Sequence, residues 1–193
     1  MPRKKSKKFA IIAGLIGVFL LLNKKAKGMA LNKLSLDKFT GDTRLKLLKI
    51  QDALIQAGID TDLQLKLALA QVLFETGKFT RKSKVAELNN NYSGIKWLNK
   101  PYQKASKGSL VPPGERLANA NSPLNYYAKF ISDEAWAADF IRILSLGRYK
   151  PLQADSLQQF VKRLANNRYF DASAPSKIDN YTKGVKFYFD LLG

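Results

Sequence analysis

The sequence predicts an α+β domain that is mostly α, with a small β-forming lobe bordering a cleft and a hydrophobic helix ahead of it. Three observations carry this expectation. Apolar residues recur at helical spacing on both sides of the middle of the chain. The middle itself, residues 78–131, loses that period and fills with Asn, Gly, Pro, Ser and Tyr, which suits short strands and loops. The first 28 residues hold an uncharged run bracketed by lysines.

Composition sets the limits. A chain of 193 residues has room for one domain with a real core plus a short appendage, and 46% hydrophobic with 11% aromatic content argues against disorder. Lys and Arg number 33 against 15 Asp and Glu, so the surface carries a positive field toward anionic partners: nucleic acid, acidic lipid or anionic wall polymers. Cys and His are both absent, which excludes disulfide frameworks, Cys/His zinc sites, Cys nucleophiles and any triad with an imidazole base. Acid–base chemistry must fall mainly to Asp, Glu, Tyr or Lys, and no cofactor or metal is called for.

Residues 1–28 read as a membrane anchor or signal. PRKKSKK precedes FAIIAGLIGVFLLL (Phe9 to Leu22), and NKKAKG follows. As a helix those fourteen residues rise about 21 Å, short of the roughly 30 Å hydrocarbon core. The stems of Lys8, Lys24 and Lys25 can snorkel to make up part of the deficit. A retained anchor, a cleaved signal whose small-residue site is Ala26 to Gly28, and a buried core helix all stay open. Arg3, Lys4, Lys5, Lys7 and Lys8 outnumber Lys24, Lys25 and Lys27, which places the main domain on the outer side, facing the periplasm or wall.

Residues 29–41 read as a linker and 42–193 as the domain. Asp42 or Thr43 can cap a helix carrying Leu45, Leu48, Ile50, Leu54 and Ile55, ended by Gly58. A second helix runs from near Thr61 through Leu65, Ala68, Leu69, Val72 and Leu73 to Glu75 and the terminating Gly77. After the irregular middle, Ser132 opens a helix with Trp136, Phe140, Ile141 and Leu144, stopped by Gly147. Asp155 can cap the next, with Leu157, Phe160, Val161 and Leu164. Ser176 and Asp179 are spaced as a capping box for the last, with Ile178, Tyr181, Val185 and Tyr188.

Glu75 is the candidate for chemistry. A carboxyl at a helix C-terminus faces the negative end of the macrodipole, and Leu73 and Phe74 are expected to desolvate it; both effects favour a held proton, the requirement for a general acid in glycosidic cleavage. The bland alternative is a solvated Glu in the last turn of an amphipathic helix.

Fifteen residues after Glu75 comes Asn90-Asn91-Tyr92-Ser93-Gly94-Ile95-Lys96. The two segments ALAQVLFETG and NNYSGIK, in this order and spacing, resemble the glucosaminidase family of bacterial autolysins and flagellar wall hydrolases. That family carries an A-x-A-Q-x-x-x-E-[ST]-G helix end followed by an N-N-L-F-G-I-K turn. The resemblance extends through YYAKFISDEAWAADFIRIL and from Arg168-Tyr169-Phe170-Asp171 to Tyr181. It implies a lysozyme-like fold and hydrolysis of the β-1,4 link after N-acetylglucosamine in peptidoglycan, with Glu75 as acid. Two departures stand out: Lys78 replaces the Trp that often follows E-[ST]-G, and Tyr92-Ser93 replaces Leu-Phe.

The family's second carboxylate lies on the lobe, where this chain offers only Glu115 between Lys96 and Ile131. Glu115 would activate water in an inverting reaction, or substrate assistance by the 2-acetamido group would replace it. Expected substrate contacts are Asn90, Asn91, Tyr92, Lys96, Trp97 and Tyr169, each with a plainer reading as turn or packing residue. Tyr102, Tyr126 and Tyr127 add aromatic faces near the lobe. The expected partners are peptidoglycan glycan strands and, through residues 9–22, a lipid bilayer, with no nucleic acid. Two alternatives remain: a lytic transglycosylase using one Glu, and a non-catalytic basic wall- or nucleic-acid-binding membrane protein. A cellular wall-remodelling enzyme and, alternatively, a bacteriophage virion lysin in a viral membrane both stay open.

Overall fold

The helix that organises the structure is apolar on nearly every side. Between Asp62 and Thr76 it buries Leu65, Leu67 to Leu73 without a break, and Thr76, so it must be surrounded rather than laid on a surface. In the computed structural model, which describes residues 31, 33–79, 84–111, 122–146 and 148–193, this helix (α2) packs against the first and last helices. The others are α1 (Gly41–Gln56), α3 (Lys84–Asn89), α4 (Asp133–Ser145), α5 (Leu157–Asn166) and α6 (Pro175–Leu191). A hairpin of β1 (Ala105–Leu110) and β2 (Tyr126–Phe130) completes a mostly helical α+β architecture among the described residues. The chain divides into Met1–Leu31 and Asn32–Gly193, and every element named here belongs to the second unit.

Local chemistry sets most of the ends. Thr61 caps α2 by accepting from Gln64 N at 3.2 Å, and Gly77 closes it in the left-handed region at φ 57°. Ser132 caps α4 through Ala135 N. Two expected caps are displaced. Ser156, not Asp155, accepts from Gln159 N in α5, and the Gln159 side-chain oxygen accepts from Asp155 N, just outside the cap, at 2.8 Å. The last helix starts at Pro175 after Ala174 with no side-chain cap, because proline's fixed φ suits the first helical position and pre-empts Ser176. Leu45 is 60% exposed; the buried face of α1 is Leu47, Ile50, Gln51, Ala53 and Leu54. The segment read as linker adds Leu36 and Phe39 to the core, and Leu34 N donates to Gln51 Oε1.

A hairpin alone is marginal and needs a covering element. Here α3 packs on both strands. The pairing is antiparallel, Ala105 with Phe130 through Lys107 with Ala128, then slips before Leu110 meets Tyr126. Gly108 lies in the slip, where a Cβ would stand 2.6 Å from Asn89 Nδ2 and 2.8 Å from Tyr127 O; only glycine lets α3 come so close. Residues 95–97 add to β2 through Ala128 N to Ile95 O and Trp97 N to Tyr126 O. On the helical side, Trp136 stacks on Phe140 and meets Tyr92 edge-on, which roots the 90–94 turn in the core. No described helix is long and apolar enough to cross a membrane, and the 9–22 segment lies outside the described residues.

Candidate active site around Glu75

Glu75 stands one residue before the end of α2, and the way that helix ends decides where its carboxylate points. Thr76 turns inward and returns its hydroxyl to Val72 O at 2.7 Å, while Gly77 and then Lys78 and Phe79 all adopt positive φ. Two non-glycine residues in this region hold strain of order 1 kcal/mol each or more. Lys78 N bonds back to Leu73 O, and Thr43 Oγ1 donates to Lys78 O at 3.2 Å, fixing the turn.

The expected burial of Glu75 does not occur: the residue is exposed, Leu73 is fully buried and Phe74 half-buried. Helical rotation of about 100° per residue separates Glu75 from the apolar side chains that precede it in sequence. What Glu75 has instead is a fixed partner. The Tyr181 hydroxyl, from α6, donates to Glu75 Oε1 at 2.9 Å. Tyr181 is itself buried, stacked on Phe170 with ring centroids 3.8 Å apart and edge-on to Phe74 at 4.9 Å. Gln71, one turn before Glu75 on the same face, donates from Nε2 to the Tyr181 oxygen at 3.4 Å. Its Oε1 is buried with no hydrogen-bond partner among the described residues.

Tyr169, which lies within the field of Glu75, bonds the second motif. Its hydroxyl donates to Ser93 O at 2.9 Å, and Ser93 Oγ accepts from Trp136 Nε1 at 3.0 Å. Burial pushes the phenols of Tyr169 and Tyr181 well above the ordinary tyrosine value, and the charge of Glu75 pushes both in the same direction. Both tyrosines therefore serve as neutral hydrogen-bonding groups at neutral pH.

The turn residues separate into different jobs. Asn90 takes φ 45° and donates to Phe130 O at 3.2 Å. Asn91 is 2% exposed; both amide hydrogens are committed, to Ile95 O at 2.8 Å and Ala128 O at 3.0 Å, and its Oδ1 accepts from Ile95 N. Its side chain holds the turn, with both amide hydrogens and the amide oxygen committed to backbone groups. Tyr92 is 1% exposed and donates to Asp133 Oδ1 at 2.7 Å; burial, then that bond and the charge behind it, raise its phenol far above the ordinary value.

Lys96 and Trp97 stand on the lobe, away from Tyr92 in role: Lys96 Nζ lies 4.1 Å from the Tyr127 ring centroid, and Trp97 meets Tyr126 edge-on at 6.4 Å. Tyr102 is exposed, with the Arg142 guanidinium 4.6 Å from its ring centroid. Glu115 lies outside the described residues.

Asn90 and Tyr92 also line a cavity of about 310 Å³, with Asp42, Lys46, Phe79 and Glu87 among its other walls. Glu75 does not line it. Of the sequence-derived set, Asn90 and Tyr92 line this cavity, Tyr169 bonds the Ser93 backbone, and Glu75 is bonded by Tyr181. The residues that sequence reasoning did not assign to the site are Tyr181, Gln71 and Ser93. All three lie in the segments that carry the family resemblance, without a site role assigned to them there. Comparison of the chain with protein-family models, with curated proteins and with solved structures gave no match.

Proposed function

We propose that the protein is a peptidoglycan hydrolase, an endo-β-N-acetylglucosaminidase in which Glu75 protonates the glycosidic oxygen. The observation that carries this reading is the convergence of two motifs fifteen residues apart: Tyr181 fixes Glu75 by a 2.9 Å hydrogen bond, and Tyr169 ties the same region to Ser93 of NNYSGIK. Tyr181 presents its proton to one carboxyl oxygen and so fixes where the carboxyl stands. Tyr169 gives its proton to Ser93 O and stays neutral within the field of Glu75. Because Glu75 is exposed, the low-polarity surroundings that favour that proton must come from the bound sugar.

Water would then attack the anomeric carbon with Glu115 or the 2-acetamido group assisting. A lysozyme-like fold, a tether through residues 9–22 and an outer-side or virion-membrane location belong to the same proposal. One observation favours a second reading: residues 96–131 contain no acid but Glu115, and a lytic transglycosylase needs none. The test is the turbidity of a peptidoglycan suspension. The full chain lowers it, and Glu75→Gln lowers activity by a hundredfold or more, within the roughly 10²–10⁴-fold worth of a positioned acid. Undiminished clearing by Glu75→Gln removes the assignment.

A further inference from the structure

We propose that Gln71 is a positioning residue for Glu75: its buried amide turns end for end as Glu75 gains or loses a proton, so that Tyr181 donates to the carboxylate and accepts from the acid. The inference rests on the reading of Glu75 as the proton donor.

The Tyr181 oxygen stands between the two side chains, 2.9 Å from Glu75 Oε1 and 3.4 Å from Gln71 Nε2. Phe170 and Phe74 hold its ring, so the oxygen stays in place while its one proton can swing about the C–O bond. With Gln71 donating to that oxygen, the proton goes to Glu75, which is what a carboxylate requires. A protonated Glu75 that donates to Tyr181 turns the hydroxyl proton back toward the amide, where it needs an acceptor. Gln71 Oε1 is that acceptor: it belongs to a fully buried residue and is bonded to nothing among the described residues. Rotation by about 180° about the last side-chain bond brings it to the tyrosine with little change of shape.

Other buried amides lack this freedom. Asn91 bonds three backbone groups, and Gln103 accepts from Leu98 N and donates to Lys96 O, so their two ends are assigned. Gln51 Oε1 takes Leu34 N, a group that can only donate. Gln71, alone of these four, meets a hydroxyl that can both donate and accept. Either orientation leaves one amide end unbonded, so the two are balanced.

The reversal serves the proposed reaction. Glu75 passes its proton to the glycosidic oxygen, which keeps the electron pair of the broken C–O bond, and the new carboxylate then receives the Tyr181 hydrogen bond. Burial, then the charge of Glu75, raise the phenols of Tyr181 and Tyr169 well above the ordinary value, so both stay neutral while Glu75 titrates.

The experiment is a nuclear magnetic resonance titration of the full chain. In the unaltered chain, cross-relaxation between the Gln71 amide protons and the Tyr181 ring protons is expected above the Glu75 midpoint and lost below it. Gln71→Met removes the amide at similar volume, so the acid loses its support and the Glu75 midpoint is expected to fall by about one unit, a tenfold loss of proton affinity. The alkaline limb of wall clearing moves down with it. In a Tyr181→Phe chain, adding Gln71→Met is expected to leave the midpoint unmoved, an outcome that a packing role would not give. Cross-relaxation constant through the midpoint, an unmoved or raised midpoint in Gln71→Met alone, or the same fall without the Tyr181 hydroxyl overturns the inference. The two proposals fail separately: amide reversal without wall digestion removes the hydrolase, and digestion with a fixed amide removes the role of Gln71.

Discussion

Gly184 in α6 packs against Phe74 of α2, and adding one methyl group there tests the packing directly. A Cβ at this position would stand 2.7 Å from Phe74 Cδ2 and 2.9 Å from Cζ, and nearer still to Cε2. Ordinary carbon contacts lie at about 3.5–4.0 Å, so the ring must move or the helices must part. Forcing such an overlap costs about 1–3 kcal/mol, to which loss of the Phe74–Tyr181 edge contact contributes. Against this, replacing an interior helical glycine by alanine gains about 1 kcal/mol. Gly184→Ala is therefore expected to destabilise the protein by about 1 kcal/mol net, read as a melting temperature about 2–4 °C lower. Phe74→Ala in the same chain removes the obstacle, so the double variant should lose less than the two single losses combined. A rise in melting temperature with Gly184→Ala, the propensity gain appearing alone, would refute the described α2–α6 contact.

Four further outcomes follow from the same geometry. Tyr181→Phe keeps both ring contacts but leaves the buried Gln71 amide with neither end bonded, and should cost about 1–3 kcal/mol in chemical denaturation while also slowing wall clearing. Asn91→Ala strips three hydrogen bonds from a buried turn and should cost about 2–4 kcal/mol, measured by calorimetry. The raised phenols of Tyr92, Tyr169 and Tyr181 make ionisation easier in the unfolded chain. Stability is thus intact below the ordinary tyrosine value of 10.0 and falls as pH rises past it, with these three tyrosines appearing in ultraviolet difference titration only as the fold opens. Asp171, bonded by Lys177 and Ser173, is pulled from 3.8 down to about 2; its contribution is present above the ordinary value and lost as pH falls toward 2, and Lys177→Ala should return its carbon-13 titration midpoint toward 3.8.

What was readable in the sequence was what short-range chemistry decides. The α2 boundaries are legible because Thr61 and Gly77 act on backbone groups within four residues of themselves. The irregular middle is legible as a loss of helical period, and it became a hairpin with a short helix. That helix, Lys84–Asn89, is too short for periodicity to reveal. Leu45 and Leu88 read as apolar yet stand about 60% exposed, because which side of a helix is covered depends on neighbours that a local pattern does not contain. The same limit hid Tyr181 from the site. It looks like one more core position of the last helix, and its hydrogen bond crosses 106 residues to Glu75. The two readings of Asn91, sugar contact and turn residue, are inseparable in sequence for a related reason: a solvent-facing amide and a fully bonded one have the same letter.

The central claim is that Glu75, positioned by Tyr181, protonates the oxygen of a murein glycosidic bond. Mass spectrometry of glycan fragments released from purified peptidoglycan by the full chain addresses it most directly, with Glu75→Gln alongside. Fragments with reducing N-acetylglucosamine ends, absent with Glu75→Gln, are the expected result; anhydromuramic ends, or fragments that persist without the Glu75 carboxyl, would contradict it.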